Sequence, residues 1–430
     1  LLRAALSIVP RLEVHMKHRL YFALPVLLML LLLSGCTPAQ LSAFAIQPQT
    51  GQVTPAPAAP GNRLLVQGTD GNIFTIAPDG SRRRNLTSDA GATRRYSQPI
   101  WSPDATTIAF ARTDFSTAGV GGALITMQHD GTGRVELPLA FPPFYMAWSP
   151  AGDQIAYLSN WQGLEGPTMA LRLVDVAANT AGTLAEGSPY YFSWSPNGDA
   201  LLAHIGSNRM ELQRVTGERR ALAQTPADFG APHWLADGER LVYAVGDAAG
   251  QQVIVADLQG VPLQQVTDFE DRVGFALSPD GARIAYVLTA AGAPSNTYGP
   301  LYVAELETLR TVALPAPSVL ANFWSPDGSK LAYLARDTSN PRRTWLRWNV
   351  WDGSATVQYE RFAPTLPFVQ SYLAFSDQYA QSLRVWSPDS RAITYAGISE
   401  AGERGVFVQR LGEGRAQRIT SGEVATWSPQ

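Results

Sequence analysis

LANFWSPDGSKLAYLAR, residues 320–336, joins a tryptophan to a Ser-Pro-Asp-Gly turn and then to an apolar run. The chain repeats this phrase. Its first residue falls at Trp101, Trp148, Trp194, Trp234, Leu277, Trp324, Trp386 and Trp427, at intervals of 47, 46, 40, 43, 47, 62 and 41. Two copies depart from it: Leu-Ala-Asp-Gly follows Trp234, and Leu277 replaces the Trp. In Ser325-Pro326-Asp327-Gly328, Pro sets φ, Asp bonds nearby N–H groups and Gly tolerates the last position, a turn signature. The run that follows is apolar on both faces, as a strand buried between two layers must be.

Each interval holds three further strand-like segments. After Trp101 come TTIAFAR, ALITMQHDG and RVELPL; after Trp386 come AITYAGIS, GVFVQRLG and AQRIT. The unit is therefore a four-stranded meander a–b–c–d with the Trp closing strand a. A period in the forties built of short strands is the mark of a β-propeller. RLLVQG, NIFTIAPDG and RRRNLT before Trp101 are strands b, c and d without an a, and EVATWSPQ at the end is an a alone. The expected fold is all-β: an eight-bladed propeller of four-stranded antiparallel blades, closed by N-terminal strands b-c-d plus a C-terminal strand a. A seven-bladed ring is the alternative, and it would leave one phrase outside. The Trp is expected to be a packing wedge between blades.

The phrase W-S-P-D-G followed by an IAF or LAY strand resembles the TolB-type, WD40-like propeller repeat, and the resemblance covers the whole repeat region. It implies an envelope role in a protein complex.

MKHRLYFALPVLLMLLLLSGC, from Met16, has a basic start, an apolar run and a small-residue ending, the pattern of an export signal rather than a membrane span. Leu33-Ser34-Gly35-Cys36 resembles the lipobox of bacterial lipoproteins, which implies lipidation at Cys36. Residues 1–15 read as a misplaced start, 16–35 as the signal, 36–62 as a lipidated Cys with a Pro/Ala-rich tether, and 63–430 as the propeller. Cys36 is the single cysteine, so no internal disulfide is available. Removing residues 1–35 takes away Arg3, Arg11, Lys17, Arg19 and Glu13, moving the net charge from −3 to −6. That balance gives no basic footprint for nucleic acid.

Catalytic or metal-binding propellers commonly gather carboxylates or histidines at the innermost strands. The three residues before each Trp or its equivalent contain no Asp or Glu and one histidine, His233. Carboxylate pairs and calcium cages need several acids. No Gly-x-Ser-x-Gly elbow or zinc-type histidine spacing occurs, and the Asp-Gly pairs read as hairpin turns. These readings predict no catalytic residue, no metal and no cofactor. They lead to a monomeric, lipid-anchored, extracytoplasmic scaffold that binds an envelope protein and does no chemistry. The alternatives are a solute- or glycan-binding module, or a propeller enzyme with a loop-built site.

In such a meander the b–c and d–a loops share one face, and here they are the long ones. The 62-residue interval adds an insertion, Phe362–Ser382, to that face. Long loops on a rigid scaffold carry recognition, and aromatic and arginine side chains dominate interfaces. The expected partner-binding residues are Trp161, Arg342, Arg343, Phe368, Tyr372, Phe375 and Tyr379.

Overall fold

The computed structural model describes residues 61–430, apart from 118, 165, 228–229, 248–249, 293–298, 317, 338 and 340–344. Among the described residues all strand pairs within the sheets are antiparallel, and six sheets have four strands in the order a–b–c–d. Blade 2, for example, runs Arg94–Trp101, Thr107–Ser116, Gly119–Gln128 and Val135–Leu139. Blades 3 to 6 begin with strands a at Tyr145–Trp148, Tyr190–Trp194, His233–Trp234 and Arg272–Leu277. Blade 1 takes Leu64–Gln67, Ile73–Ile76 and Arg84–Asn85 from the start of the domain and its strand a, Val424–Trp427, from the end. Leu64 faces Trp427 and Gln67 faces Val424 across that junction. Closure by the two ends is therefore as the repeat predicts.

One departure concerns blade 8. Blade 7 (Val319–Trp324, Leu331–Asp337, Trp345–Trp351, Thr356–Pro364) and three strands of blade 8 (Ala392–Ser399, Arg404–Arg410, Gln417–Thr420) form one seven-stranded sheet. Strand a of blade 8 is cut to a bridge between Trp386 and Ile393. The missing length is filled by the end of strand d of blade 7, where Phe362, Ala363 and Pro364 pair with Ser399, Ile398 and Gly397. The cause is the insertion, which leaves the chain where strand a would otherwise run through.

The turn phrase works through its serine, a role the sequence reading did not assign. Ser325 Oγ donates to Asp327 Oδ1 (2.6 Å) and accepts from Lys330 N (2.9 Å), while Gly328 N donates to Ser325 O (2.8 Å). Ser102, Ser149, Ser195, Ser278 and Ser387 accept from the backbone five residues on in the same way. All six are nearly inaccessible. Gly328 has φ of 68°, the left-handed region glycine enters freely; Ala105 and Ser390 take that position in blades 2 and 8. In the deviant turn after Trp234, Asp237 Oδ1 accepts from both Glu239 N and Arg240 N, replacing the missing hydroxyl.

The tryptophans are wedges with a polar latch. The indole N–H of Trp194 donates to Ala147 O, that of Trp234 to Ser193 O, that of Trp324 to Ala276 O and that of Trp386 to Phe323 O. Each acceptor is the residue just before the Trp, or its Leu277 equivalent, in the preceding blade. Four seams are thus stapled by the same bond. Trp101, Trp148 and Trp427 have buried indole nitrogens without such an acceptor, so their rings join these seams by packing and not by an indole bond.

Candidate functional site

The insertion does not stand on the disc; it fills the channel. Thr365 caps the short helix α1 (Leu366–Ser371), accepting from Phe368 N while donating to Glu423 O of blade 1 (3.0 Å). A 3-10 turn, Leu373–Phe375, leads into α2 (Ser376–Tyr379). From there each side chain reaches a different innermost strand. Ser376 Oγ donates to Leu320 O (3.0 Å) in blade 7, and Asp377 Oδ2 accepts from Ala231 N (2.9 Å) at blade 5. Gln378 Oε1 accepts from Phe192 N (2.9 Å) in blade 4, and its Nε2 donates to Phe192 O (2.7 Å) and to Tyr145 Oη (2.8 Å) in blade 3. The Tyr379 hydroxyl lies 2.9 Å from Gln98 Oε1 and 3.1 Å from Phe144 O, in blade 2 and beside blade 3. The physical reason for so many bonds is plain. Strand a has an unpaired edge facing the channel, and buried N–H and C=O groups need partners.

This placement corrects three of the expected partner anchors. Phe368, Tyr372 and Tyr379 are 4–5% exposed. They pack on one another and on Tyr145, with Tyr372–Tyr379 ring centroids 4.5 Å apart and Tyr145 edge-on to Tyr379 at 5.0 Å. An aromatic in an insertion buries itself when a cavity of the right size lies below. Burial pushes the Tyr145 hydroxyl up to about 12 and Tyr379 well above its ordinary range, so both stay protonated donors. Phe375 remains 45% exposed. Trp161 is half-buried under the Arg172 guanidinium, 4.4 Å over its ring, and edge-on to Phe141. Arg342 and Arg343 lie outside the described residues, as does Cys36.

On the long-loop face the insertion forms one wall of a basin of about 960 Å³. The other walls are Phe141–Tyr145, Pro189–Tyr191 and the ten-residue strands of blades 2 and 3 at Thr113, Val120, Asn160 and Met169. Phe375, Gln378 and Tyr379 line it from the insertion, and Gln98 from below. Among the described residues its lining holds no Asp, Glu, Lys, Arg or His. Among the described residues no group of three or more His, Cys, Asp and Glu could hold a metal. Gln378, Asp377 and Gln98 are not foreseen from the sequence, since none is an acid or histidine on a strand next to a repeat Trp. For Asp377 and Gln378 the 62-residue interval was the signal; Gln98 had none.

His233, the one histidine of the innermost triplets, is a core residue. It is 7% exposed, its ring centroid lies 5.3 Å from that of Phe275, and Nε2 has no partner. Burial pushes its pKa down to about 4, against a smaller opposing effect of a hydrogen bond with the Phe275 backbone. In the unfolded chain it titrates near its ordinary 6.5. Above pH 6.5 both states are neutral and nothing is lost. As pH falls through 6.5 only the unfolded chain takes up the proton, and stability drops by about 3 kcal/mol by pH 4, at about 1.4 kcal/mol per pH unit. A His233→Gln variant should lose less stability between pH 7 and 4 than the parent in urea titrations. Equal losses would show that another group carries the acid sensitivity.

Comparison with known proteins bears on activity. No family model matches the chain. It is 24% identical over 349 residues to dipeptidyl-peptidase 5 of Porphyromonas gingivalis, covering 76% of this chain and 48% of the relative. The chain thus spans about half the length of the curated relative it matches. Among solved structures, a eukaryotic initiation factor superposes with a TM-score of 0.56 at 10% identity, over 86% of this chain and 99% of that one. TolB from Acinetobacter baumannii gives a TM-score of 0.39 at 17% identity over 68% and 77%. The first of these shares the fold of this chain, and at such identity the likeness speaks of fold alone. The peptidase match overturns the expectation of a non-catalytic scaffold. Innermost strands without acids do not exclude an enzyme, because a propeller can serve catalysis through a site built elsewhere.

Proposed function

We propose that this chain is the propeller part of a peptidase-class enzyme, and that its basin receives short uncharged peptide segments bound for cleavage. The basin carries the reading: concave, largely apolar, walled by Phe141, Phe144, Tyr190 and Phe375, with amides at Gln98 and Asn160 to fix orientation. Sites of that kind are where small ligands bind. Likeness to a dipeptidyl-peptidase supports a peptide as the occupant. The described lining offers apolar and amide groups, which suit an uncharged peptide.

The test is calorimetric. The blocked peptide acetyl-Phe-Ala-Phe-amide should bind the full chain, and an exposed-wall variant that fills the basin, Asn160→Trp, should weaken it at least about tenfold, or about 1.4 kcal/mol. Replacing both Phe of the peptide by Glu should weaken it as much. Binding indifferent to both changes would place peptide recognition elsewhere.

We also propose that Cys36 carries a lipid and holds the propeller outside the cytoplasm, on the strength of the Leu-Ser-Gly-Cys ending of the apolar segment. Cys36→Ser should then lose acyl labelling; a labelled variant would end the idea.

A further inference from the structure

We propose that the channel-facing edge of strand a of blade 4, at Phe192, is a recognition site for an extended peptide backbone, and that the Gln378 carboxamide is its built-in competitor. This inference rests on the basin reading above and adds how the peptide is held.

An antiparallel neighbour recognises a residue by bonding to both its N–H and its C=O. Gln378 does the same to Phe192: Oε1 accepts from the N–H at 2.9 Å and Nε2 donates to the C=O at 2.7 Å. A primary carboxamide has the donor and acceptor of a peptide group, so the side chain stands where a neighbouring strand's backbone would be. Phe192 is paired with Ala203 of strand b on its other side, so these two groups form the free edge of a sheet. Open edges are what extended peptides add to.

The edge also lies beside the basin. Tyr190 and Tyr191 of the same strand line it, and so does Gln378 itself. A peptide lying along the basin therefore meets the edge by displacing the Gln378 side chain, and it replaces the two bonds to Phe192 that the side chain gives up; the third, from Nε2 to Tyr145 Oη, is lost. Nothing in the described lining demands a charge, so the ligand is defined by backbone and by apolar or aromatic side chains. The neighbouring contacts, Ala231 N to Asp377 and Ser376 to Leu320 O, hold the insertion in the channel independently of Gln378. The competitor can thus leave the edge while the insertion stays seated.

The experiment compares the full chain with Gln378→Ala and with the near-isosteric Gln378→Met, each first checked for parental thermal unfolding. The probes are acetyl-Phe-Ala-Phe-amide and the same peptide N-methylated at its central residue. With the competitor removed, the parent peptide should bind roughly tenfold tighter to both variants, the scale of one or two net hydrogen bonds. N-methylation should cancel the gain. Exchange of the Phe192 amide should be slow in the parent protein, faster in the variants, and slowed again by the unmethylated peptide. If Gln378→Ala fails to fold, Gln378→Met carries the test alone. Equal affinity for parent and variants, or equal binding of the methylated peptide, overturns edge recognition and leaves the basin reading standing. No binding to any folded form overturns both.

Discussion

Deleting residues 423–430 should leave a chain without a cooperative unfolding transition. Those residues supply the innermost strand of blade 1, paired from Leu64–Trp427 to Gln67–Val424. They also supply Trp427, 1% exposed, whose backbone N donates to Arg384 O of blade 8 at 2.9 Å. Ser428 N donates to Arg63 O, and Ser428 Oγ accepts from Arg63 N. Loss of the indole alone costs about 3–5 kcal/mol. Removing the strand further uncovers Leu64, Leu65 and Val66, all at 0% exposure, together with an unpaired edge. The sum reaches the whole stability of an ordinary domain, about 5–15 kcal/mol. The expected product is a soluble aggregate or an insoluble one, seen by size exclusion. A truncated monomer melting within a few degrees of the parent would mean the ring is not closed by its ends.

The second large effect separates the two classes of tryptophan. Trp386 is 3% exposed and donates to Phe323 O at 2.9 Å; Trp101 is 2% exposed and donates to nothing. Replacement by Ala should cost about 3–5 kcal/mol at either site, since each leaves a cavity. Replacement by Phe keeps much of the packing. At Trp386 it also removes the indole bond to Phe323 O, a net loss of about 0.5–1.5 kcal/mol because that carbonyl keeps its pairing with Ala332 in the sheet, whereas at Trp101 it removes an already unpaired N–H. Trp386→Phe should therefore be the more damaging of the pair in denaturant titrations. The reverse order would show that the indole bond adds nothing across the seam.

The architecture was legible because each blade restates the same local chemistry. Pro, Asp and Gly mark a turn wherever they stand, and an apolar run such as Leu331–Ala335 is buried on both faces in any layered fold. Even the deviant copies at Trp234 and Leu277 kept their places. The serine's role was not legible, since a hydroxyl that organises a turn by accepting from five residues on looks like any polar surface residue. Nor was the direction of the insertion. Phe368 and Tyr379 have the composition of an interface and equally of a core, and only the width of the channel beneath them decides. The division of strand a in blade 8 was hidden for the same reason, as it follows from where the insertion departs.

The fused sheet gives the ring an unequal mechanics. Its other joints rely on tryptophan staples, packing and at most single main-chain bonds, such as Val319 N to Gly299 O, and side chains can slip by rotamer changes. Blade 8 is different. On one flank Phe362–Pro364 ties it to blade 7 by main-chain pairing, and on the other Arg384 O accepts from Trp427 N of blade 1. Three consecutive blades therefore behave as one stiff arc, and that arc also carries both roots of the inserted segment. Breathing of the ring is left to the remaining joints among blades 2 to 6, opposite the arc. The basin sits between blades 2, 3 and 4, so the cavity wall on one side is fixed while the other can flex.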